Sequence, residues 1–202
     1  MKRTHMLRAA MLAAILLPAV GCSFAPDLTA DEAANKISDH LVAGEVDEAE
    51  DIFDDVDGNE HHRETVYSVV YARAGDMYRK QKWSVAAVQL RFLSEHYEDA
   101  AAPRQALLYT LLRQRAQQTR TPSTEQVKEV KRLVKTIRKQ EENPSPFVAL
   151  AAAQAAVDEG RVDVARKEYD QFRASWDGQP RDLLEYTVEF DRYFMTNGGS
   201  GA

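Results

Sequence analysis

Apolar residues recur along most of the chain at intervals of three and four positions, the spacing of an amphipathic helix. No long segment alternates apolar and polar residues, so helix is favoured over strand throughout. The clearest stretch is 146–180, in which two short helices flank a turn at Gly160. The first helix carries small residues on one face: Ala149, Ala152, Ala153 and Ala156. The second helix carries a stripe of one small and two large residues: Ala165, Tyr169 and Phe172.

The same pattern occurs near the start of the chain. Segments 44–56 and 160–172 both contain a glycine, a Val-Asp pair two residues later, an alanine, an aromatic residue four positions on and an apolar residue three beyond it. One such hairpin cannot bury its apolar face alone, so several copies are expected to stack. The whole pattern predicts four hairpins and a last helix, over about 29–56, 63–97, 106–139, 146–180 and 183–194.

Local signals set the expected ends of these elements. The pairs Thr29/Glu32 and Ser123/Gln126 have the spacing of capping boxes and predict helix starts. Lys82 replaces the turn glycine in the second hairpin, so that turn is expected to be less strained or to hold a non-glycine residue at positive φ. Residues 98–103 are expected to close that hairpin.

The first residues indicate export rather than a folded domain. A basic start with Lys2, Arg3 and Arg8 precedes an apolar stretch, 9–20, that is too short to span a bilayer. Residues 1–21 are therefore predicted to be a signal peptide. Residues 22–28 form a tether that reaches roughly 20 to 25 Å when extended.

The end of this segment, Ala19-Val20-Gly21-Cys22, resembles a bacterial lipobox. The resemblance implies that the thiol of Cys22 is lipidated and becomes the first residue. Cys22 is the only cysteine of the chain, so an internal disulfide is excluded. Ser23 stands where an aspartate would imply retention in the inner membrane, which favours an outer-membrane anchor facing the periplasm. The alternative is an ordinary signal peptide with an incidental cysteine.

Composition fits one globular domain, 29–196, followed by a Gly/Ser-rich tail, 197–202. The 202 residues are 44% hydrophobic and 29% charged, with a net charge of −6. Removal of the basic leader makes the charge more negative still, which argues against nucleic acid as a partner.

The repeated positions resemble the tetratricopeptide repeat family. The eighth position of the repeat holds a small residue, Ala74 or Ala153. The twentieth position holds an alanine, and a large residue follows four positions later: Ala49 and Phe53, Ala86 and Leu90, Ala165 and Tyr169. The resemblance implies an all-α, right-handed superhelical solenoid of about four hairpins with a C-terminal capping helix.

A narrower similarity lies in segments 83–87, 92–97 and 106–109. They look like units of the outer-membrane beta-barrel assembly lipoprotein and of Tol-Pal-associated repeat proteins. This similarity implies a role in envelope assembly.

In such repeats the first helices line a concave surface that binds peptides or helices. The positions carried over as partner-binding residues are Tyr71, Tyr78, Arg79, Tyr109, Arg113, Leu150 and Gln154, with Ser38, Leu41, Val42, Arg115 and Asp158 as further candidates. Tyrosine and arginine suit recognition, since they provide large contact areas and fixed donors. The alternative is that the tyrosines are packing residues and the arginines are solvated.

Charge is segregated along the chain. Segment 27–60 has thirteen acidic residues and one lysine, whereas 104–142 has ten basic and four acidic residues. This asymmetry could steer partners to different ends, or the charges could simply be solvated helix faces. The basic residues of 128–139 could also contact anionic headgroups.

Catalytic and cofactor motifs are not recognisable in the sequence. His61 and His62 are adjacent, so their side chains should diverge, and no spaced third histidine or cysteine supports a metal site. No cofactor is expected. The sequence thus predicts a non-enzymatic, lipid-anchored scaffold for protein partners. The alternatives are a glycan-active enzyme whose cleft the solenoid shapes, and a structural oligomer subunit.

Cys22→Ser should release the protein from membranes, because it removes the thiol that carries the lipid. The measurement is the distribution of the full-length chain between membrane and soluble fractions of cells. Retention of the variant in the membrane fraction would count against the lipobox.

Overall fold

The computed structural model describes residues 28–179 and 181–197. This part of the chain is helical and contains no strand. The helices are α1 (Ala30–Ala43), α2 (Val46–Val56), α3 (Glu60–Arg79), α4 (Trp83–His96), α5 (Ala101–Ala116), α6 (Thr124–Gln140), α7 (Phe147–Asp158), α8 (Val162–Ser175), a 3-10 turn (Arg181–Leu183) and α9 (Leu184–Asn197). The predicted signal peptide, Cys22, all but the last residue of the tether and residues 198–202 lie outside the described residues.

Both predicted capping boxes are confirmed. The hydroxyl of Thr29 accepts a hydrogen bond from the Glu32 amide at 3.3 Å, and the Glu32 carboxylate accepts one from the Thr29 amide at 3.0 Å. Ser123 and Gln126 make the same reciprocal pair, at 3.2 and 2.9 Å. These bonds satisfy amides that the first turn leaves without helical partners, which fixes where α1 and α6 begin.

The hairpin turns use left-handed residues. Gly44 has φ 85° and Gly160 has φ 72°, values that glycine adopts without the clash of a Cβ atom. In the second hairpin Gln81 takes this role at φ 59°, one residue before Lys82, which confirms the expected non-glycine turn. A left-handed non-glycine residue costs about 1–2 kcal/mol, so packing of α3 against α4 has to offset that strain.

Two boundaries differ from the prediction. Helix α3 begins at Glu60, three residues earlier than expected, because the side chain of Asn59 accepts a hydrogen bond from the His62 amide at 3.3 Å. Helix α5 begins at Ala101 and includes Pro103. A proline fits in the first turn, where its missing N–H is not needed for an intrahelical bond.

The helices pair as four hairpins, as the sequence predicts: α1 with α2, α3 with α4, α5 with α6, and α7 with α8. The small repeated positions are closed to solvent, since Ala49, Ala86 and Ala165 are all 0% exposed. The large residues Phe53 and Leu90 are also buried. Burying side chains of this size contributes roughly 1.5–3 kcal/mol each.

Neighbouring hairpins share two hydrophobic clusters. One is centred on α1–α4 and the other extends from α3 to α9, and Tyr71 packs against both. Close contacts join α1 to α3, α4 to α5, and α6 to α7, whereas the backbones of α3 and α5 are not closely packed against each other. The stack therefore has one gap along the row of first helices.

The C-terminal helix is part of the core. Leu183, Tyr186, Phe190 and Phe194 are buried, which confirms the predicted apolar face. The Tyr186 hydroxyl donates a hydrogen bond to the Leu112 carbonyl oxygen at 2.6 Å, which ties α9 to α5. Across residues 28–179 and 181–197, no helix combines the length and apolar character that a membrane span requires.

Tyr186→Ala should lower the free energy of unfolding by about 3–5 kcal/mol, because it removes a fully buried ring. Tyr186→Phe keeps the ring and loses the bond to Leu112, so about 0.5–1.5 kcal/mol is expected. Urea unfolding of the full-length variants measures both values. Equal losses in the two variants would show that α9 is not anchored by its ring.

Candidate functional site

The gap between α3 and α5 forms a cleft of about 250 Å³, here called the tyrosine cleft. Its floor includes the buried Leu90 of α4. Its walls bring together four of the predicted binding residues. The lining is Tyr71, Ala74, Gly75, Tyr78, Arg79, Leu90, Ala106, Tyr109 and Thr110.

The tyrosine rings of this cleft are held by other rings. Tyr71 stacks on Tyr67 with 5.7 Å between ring centroids. Tyr78 packs edge-on against Trp83 at 4.6 Å and lies 5.9 Å from Tyr109. Burial raises the pKa of Tyr78 above its usual value, so the phenol stays neutral at physiological pH. The cleft therefore presents a fixed, mostly apolar surface that includes three tyrosine rings.

Gly75 keeps the cleft open, and sequence reasoning missed it. A Cβ atom at this position would meet only the Arg79 Nη1 atom, at 3.6 Å. A glycine inside a helix costs about 1 kcal/mol relative to alanine, so its presence was a detectable signal. Arg79 stands beside it with a side chain that is 72% exposed and paired with Asp76.

The C-terminal segment borders the cleft through Asp182. The Tyr109 hydroxyl donates to Asp182 Oδ1 at 2.6 Å, and Arg113 Nη1 donates to the Asp182 carbonyl oxygen at 3.1 Å. Arg113 also lies 3.7 Å from a carboxylate oxygen of Glu185. Two predicted binding residues, Tyr109 and Arg113, are thus engaged within the chain by the C-terminal segment.

This arrangement sets the protonation of Tyr109. Burial, and then the hydrogen bond to Asp182, raise the pKa of Tyr109 well above its ordinary value. Both causes disfavour the phenolate, since one removes water and the other places a carboxylate beside it. Tyr109 therefore acts as a neutral hydrogen-bond donor.

Three candidate residues are buried, and their prediction as groove residues is wrong. Leu150 and Ser38 are 0% exposed and Leu41 is 1% exposed. Helix α7 packs against α5, α6 and α8, so its expected open face is covered. The packing of α1 against α2, α3 and α4 similarly covers Ser38 and Leu41.

Gln154 lies away from the tyrosine cleft, beside a small cavity between α5, α6 and α7. Its amide donates to Asp158 Oδ1 at 3.2 Å. The same oxygen accepts a hydrogen bond from Arg115 Nη2 at 2.8 Å. These polar groups satisfy one another, so they form a second, separate cluster rather than another part of one surface.

Three histidines of the described ranges, His40, His62 and His96, lie beside oxygen atoms of other residues. His40 lies 2.7 Å from Glu45 and His96 lies 2.7 Å from Glu50, both nitrogen to oxygen. His62 Nε2 lies 3.0 Å from the Leu28 carbonyl oxygen. In the described ranges no three side chains of His, Cys, Asp or Glu converge in a way that could hold a metal ion.

The basic face of α6 is partly neutralised. Lys131 pairs with Glu159 at 2.6 Å and Arg138 with Glu168 at 2.5 Å, which links α6 to α7 and α8. Exposed pairs of this kind contribute about 0–1 kcal/mol each. Part of the positive charge of segment 104–142 is therefore neutralised by ion pairs with carboxylates of the fourth hairpin.

Comparison with known proteins finds no matching family model, no matching curated protein and no matching solved structure.

Asp182→Asn should lower the pKa of Tyr109 toward the ordinary value of about 10, because a neutral amide does not oppose the phenolate. In the wild type, the stability contributed by neutral Tyr109 is present below the unfolded pKa and is lost as pH rises through the raised pKa. The variant should therefore ionise this tyrosine at lower pH, as measured by the ultraviolet absorbance of tyrosinate.

Asp170→Asn is the matched control, since Asp170 is exposed on α8. It should leave the tyrosine titration unchanged. The same titration curve for Asp182→Asn and the wild type would contradict the coupling of Tyr109 to Asp182.

Proposed function

We propose that this chain is a lipid-anchored, tetratricopeptide-like scaffold that binds a protein partner at the bacterial cell envelope. Cys22 anchors it, with the outer membrane facing the periplasm as the expected location. The stacked hairpins form a superhelical solenoid whose row of first helices holds the partner. The observation that carries this proposal is the tyrosine cleft, a preformed apolar opening at the one gap in that row.

The occupant is a peptide or helix that inserts one apolar or aromatic side chain. A cleft of about 250 Å³ has room for a single large side chain. Because the rings of Tyr71 and Tyr78 are already held by Tyr67 and Trp83, little conformational entropy is lost when the cleft is filled. Buried aromatic contacts of this kind carry much of the energy of protein interfaces.

An acidic residue should accompany that anchor in the partner. Arg79 is exposed at the edge of the cleft, and its present partner Asp76 is half exposed. Such a surface pair is worth at most about 1 kcal/mol, so a carboxylate of the partner can replace Asp76 at little cost. Arg79 would then fix the orientation of the bound segment.

The cleft favours binding over glycan chemistry. Hydrolysis of a glycan by the common route needs two carboxylates facing the scissile bond. The residues that line the tyrosine cleft include one arginine and three tyrosines, and none of them is a carboxylate or a histidine. At this cleft, the lining therefore supports partner binding over glycan hydrolysis. A structural oligomer remains a distinct outcome of the test below.

Gly75→Leu should abolish partner binding by filling the cleft from within α3. The backbone is helical at this position and an added Cβ meets only the end of a flexible arginine, so the fold should tolerate the change. The measurement is capture of envelope proteins by the full-length chain from solubilised membranes, with mass spectrometry. At least a tenfold loss of the specific partner is expected, with an unchanged circular dichroism spectrum.

Gly75→Ala is the control. It adds one carbon, should retain most of the binding, and should raise the free energy of unfolding by about 0.5–1 kcal/mol. Gly75→Leu is a cleaner probe than truncating Tyr71, Tyr78 and Arg79 together, because Tyr78 packs against Trp83 and its loss would disturb the fold. Undiminished capture by folded Gly75→Leu would overturn the cleft as binding site, and capture of the chain's own copies alone would favour the oligomer.

A further inference from the structure

A second cleft, of about 590 Å³, lies between α4, α5 and α6 and is here called the Arg104 cleft. Apart from Leu133 it is lined by polar and charged side chains, in contrast to the tyrosine cleft. The lining is Ser94, Glu95, Glu98, Arg104, Arg132, Leu133, Thr136 and Gln140. Its chemistry therefore suits a polar ligand.

Arg104 is the unusual member of this lining. Its residue is only 6% exposed, and its Nε atom is buried without a hydrogen-bond partner. Within the described part of the chain, no carboxylate lies within 4 Å of its guanidinium nitrogens, and no aromatic ring lies beneath it. Arg91 shows the contrast, since it meets Glu129 through bonds of 2.7 and 3.0 Å.

An unpaired cation is costly at this position for two reasons. A buried charge that lacks a counter-ion loses its hydration without compensation. Arg104 also lies in the first turn of α5, where the helix dipole already places positive partial charge. An anion bound in the cleft would compensate for both effects at once.

We propose that the Arg104 cleft binds a small oxyanion group, such as a phosphate. A guanidinium presents a planar fork of N–H donors that matches the oxygens of such a group. Arg132, Thr136 and Gln140 supply further donors from α6, and none of the three is engaged by another side chain in the residues that the structure describes. The site is separate from the partner-binding surface and would exist whether or not that surface is used.

Glu95 and Glu98 restrict which oxyanion fits. Their carboxylates line the same cleft, so they repel a bare dianion and can accept a hydrogen bond from a protonated oxygen. Dihydrogen phosphate, a monoanion with two protonated oxygens, meets both requirements. Inorganic phosphate at mildly acidic pH is therefore the probe.

The test compares thermal unfolding of three full-length chains with phosphate or with sodium chloride at equal ionic strength. They are the wild type, Arg104→Met, and Arg120→Met as a matched control at an exposed arginine. A tenfold excess of phosphate over its Kd should raise the Tm of the wild type and of the control by about 3–6 °C. Arg104→Met should show only the small general stabilisation that phosphate gives to proteins by exclusion.

An equal rise of the Tm in all three chains would overturn the site. The absence of any rise in the wild type would also overturn it. That second result is expected if Glu95 or Glu98 turns onto Arg104 in solution. Should Arg104→Met fail to fold, phosphate titration of the wild type by amide NMR decides. Saturable shifts confined to 94–98, 104 and 132–140 support the site, and their absence contradicts it.

Discussion

The whole structure depends on apolar packing between the two helices of each hairpin and between neighbouring hairpins. In three of the four hairpins a small residue of the second helix, Ala49, Ala86 or Ala165, is closed to solvent, and that helix packs against the first helix of its hairpin. Close hairpins can share apolar clusters, which is why residues of α3 and α9 belong to one core. The tyrosine cleft is the exception. Between α3 and α5 the tyrosine rings and Gly75 take the place of backbone contact, and an opening remains.

Much of this fold was predictable because it depends on local spacing. The capping box at Thr29, the left-handed turn near Lys82 and the burial of Phe190 follow from residues only a few positions apart. Features that depend on distant neighbours were not predictable. Leu150 is covered because α7 lies among α5, α6 and α8, and Asp182 meets Tyr109 across 73 positions of sequence. The spacing of nearby residues predicts neither the covering of Leu150 nor the contact between Asp182 and Tyr109. The glycine inside α3, Gly75, could have indicated an opening.

The C-terminal helix connects the fold to the proposed function. Tyr186 of α9 binds the α5 backbone, and Asp182 of the preceding 3-10 turn binds Tyr109 and Arg113 of α5. Together they fix the helix that forms one wall of the tyrosine cleft. A rigid wall lowers the entropy lost when a partner binds. The two clefts then differ in chemistry, since one is apolar with aromatic walls and the other contains an unpaired buried arginine. A scaffold with both could hold a partner segment and an oxyanion at separate places.

The claim that the tyrosine cleft holds a protein partner is tested most directly by photo-crosslinking in the native envelope. A photo-reactive amino acid is placed at position 79, at the cleft, and at position 167, on the exposed side of α8. We expect a defined crosslinked protein from position 79 that is absent from position 167. The same products from both positions, or none from position 79, would contradict partner binding in the cleft.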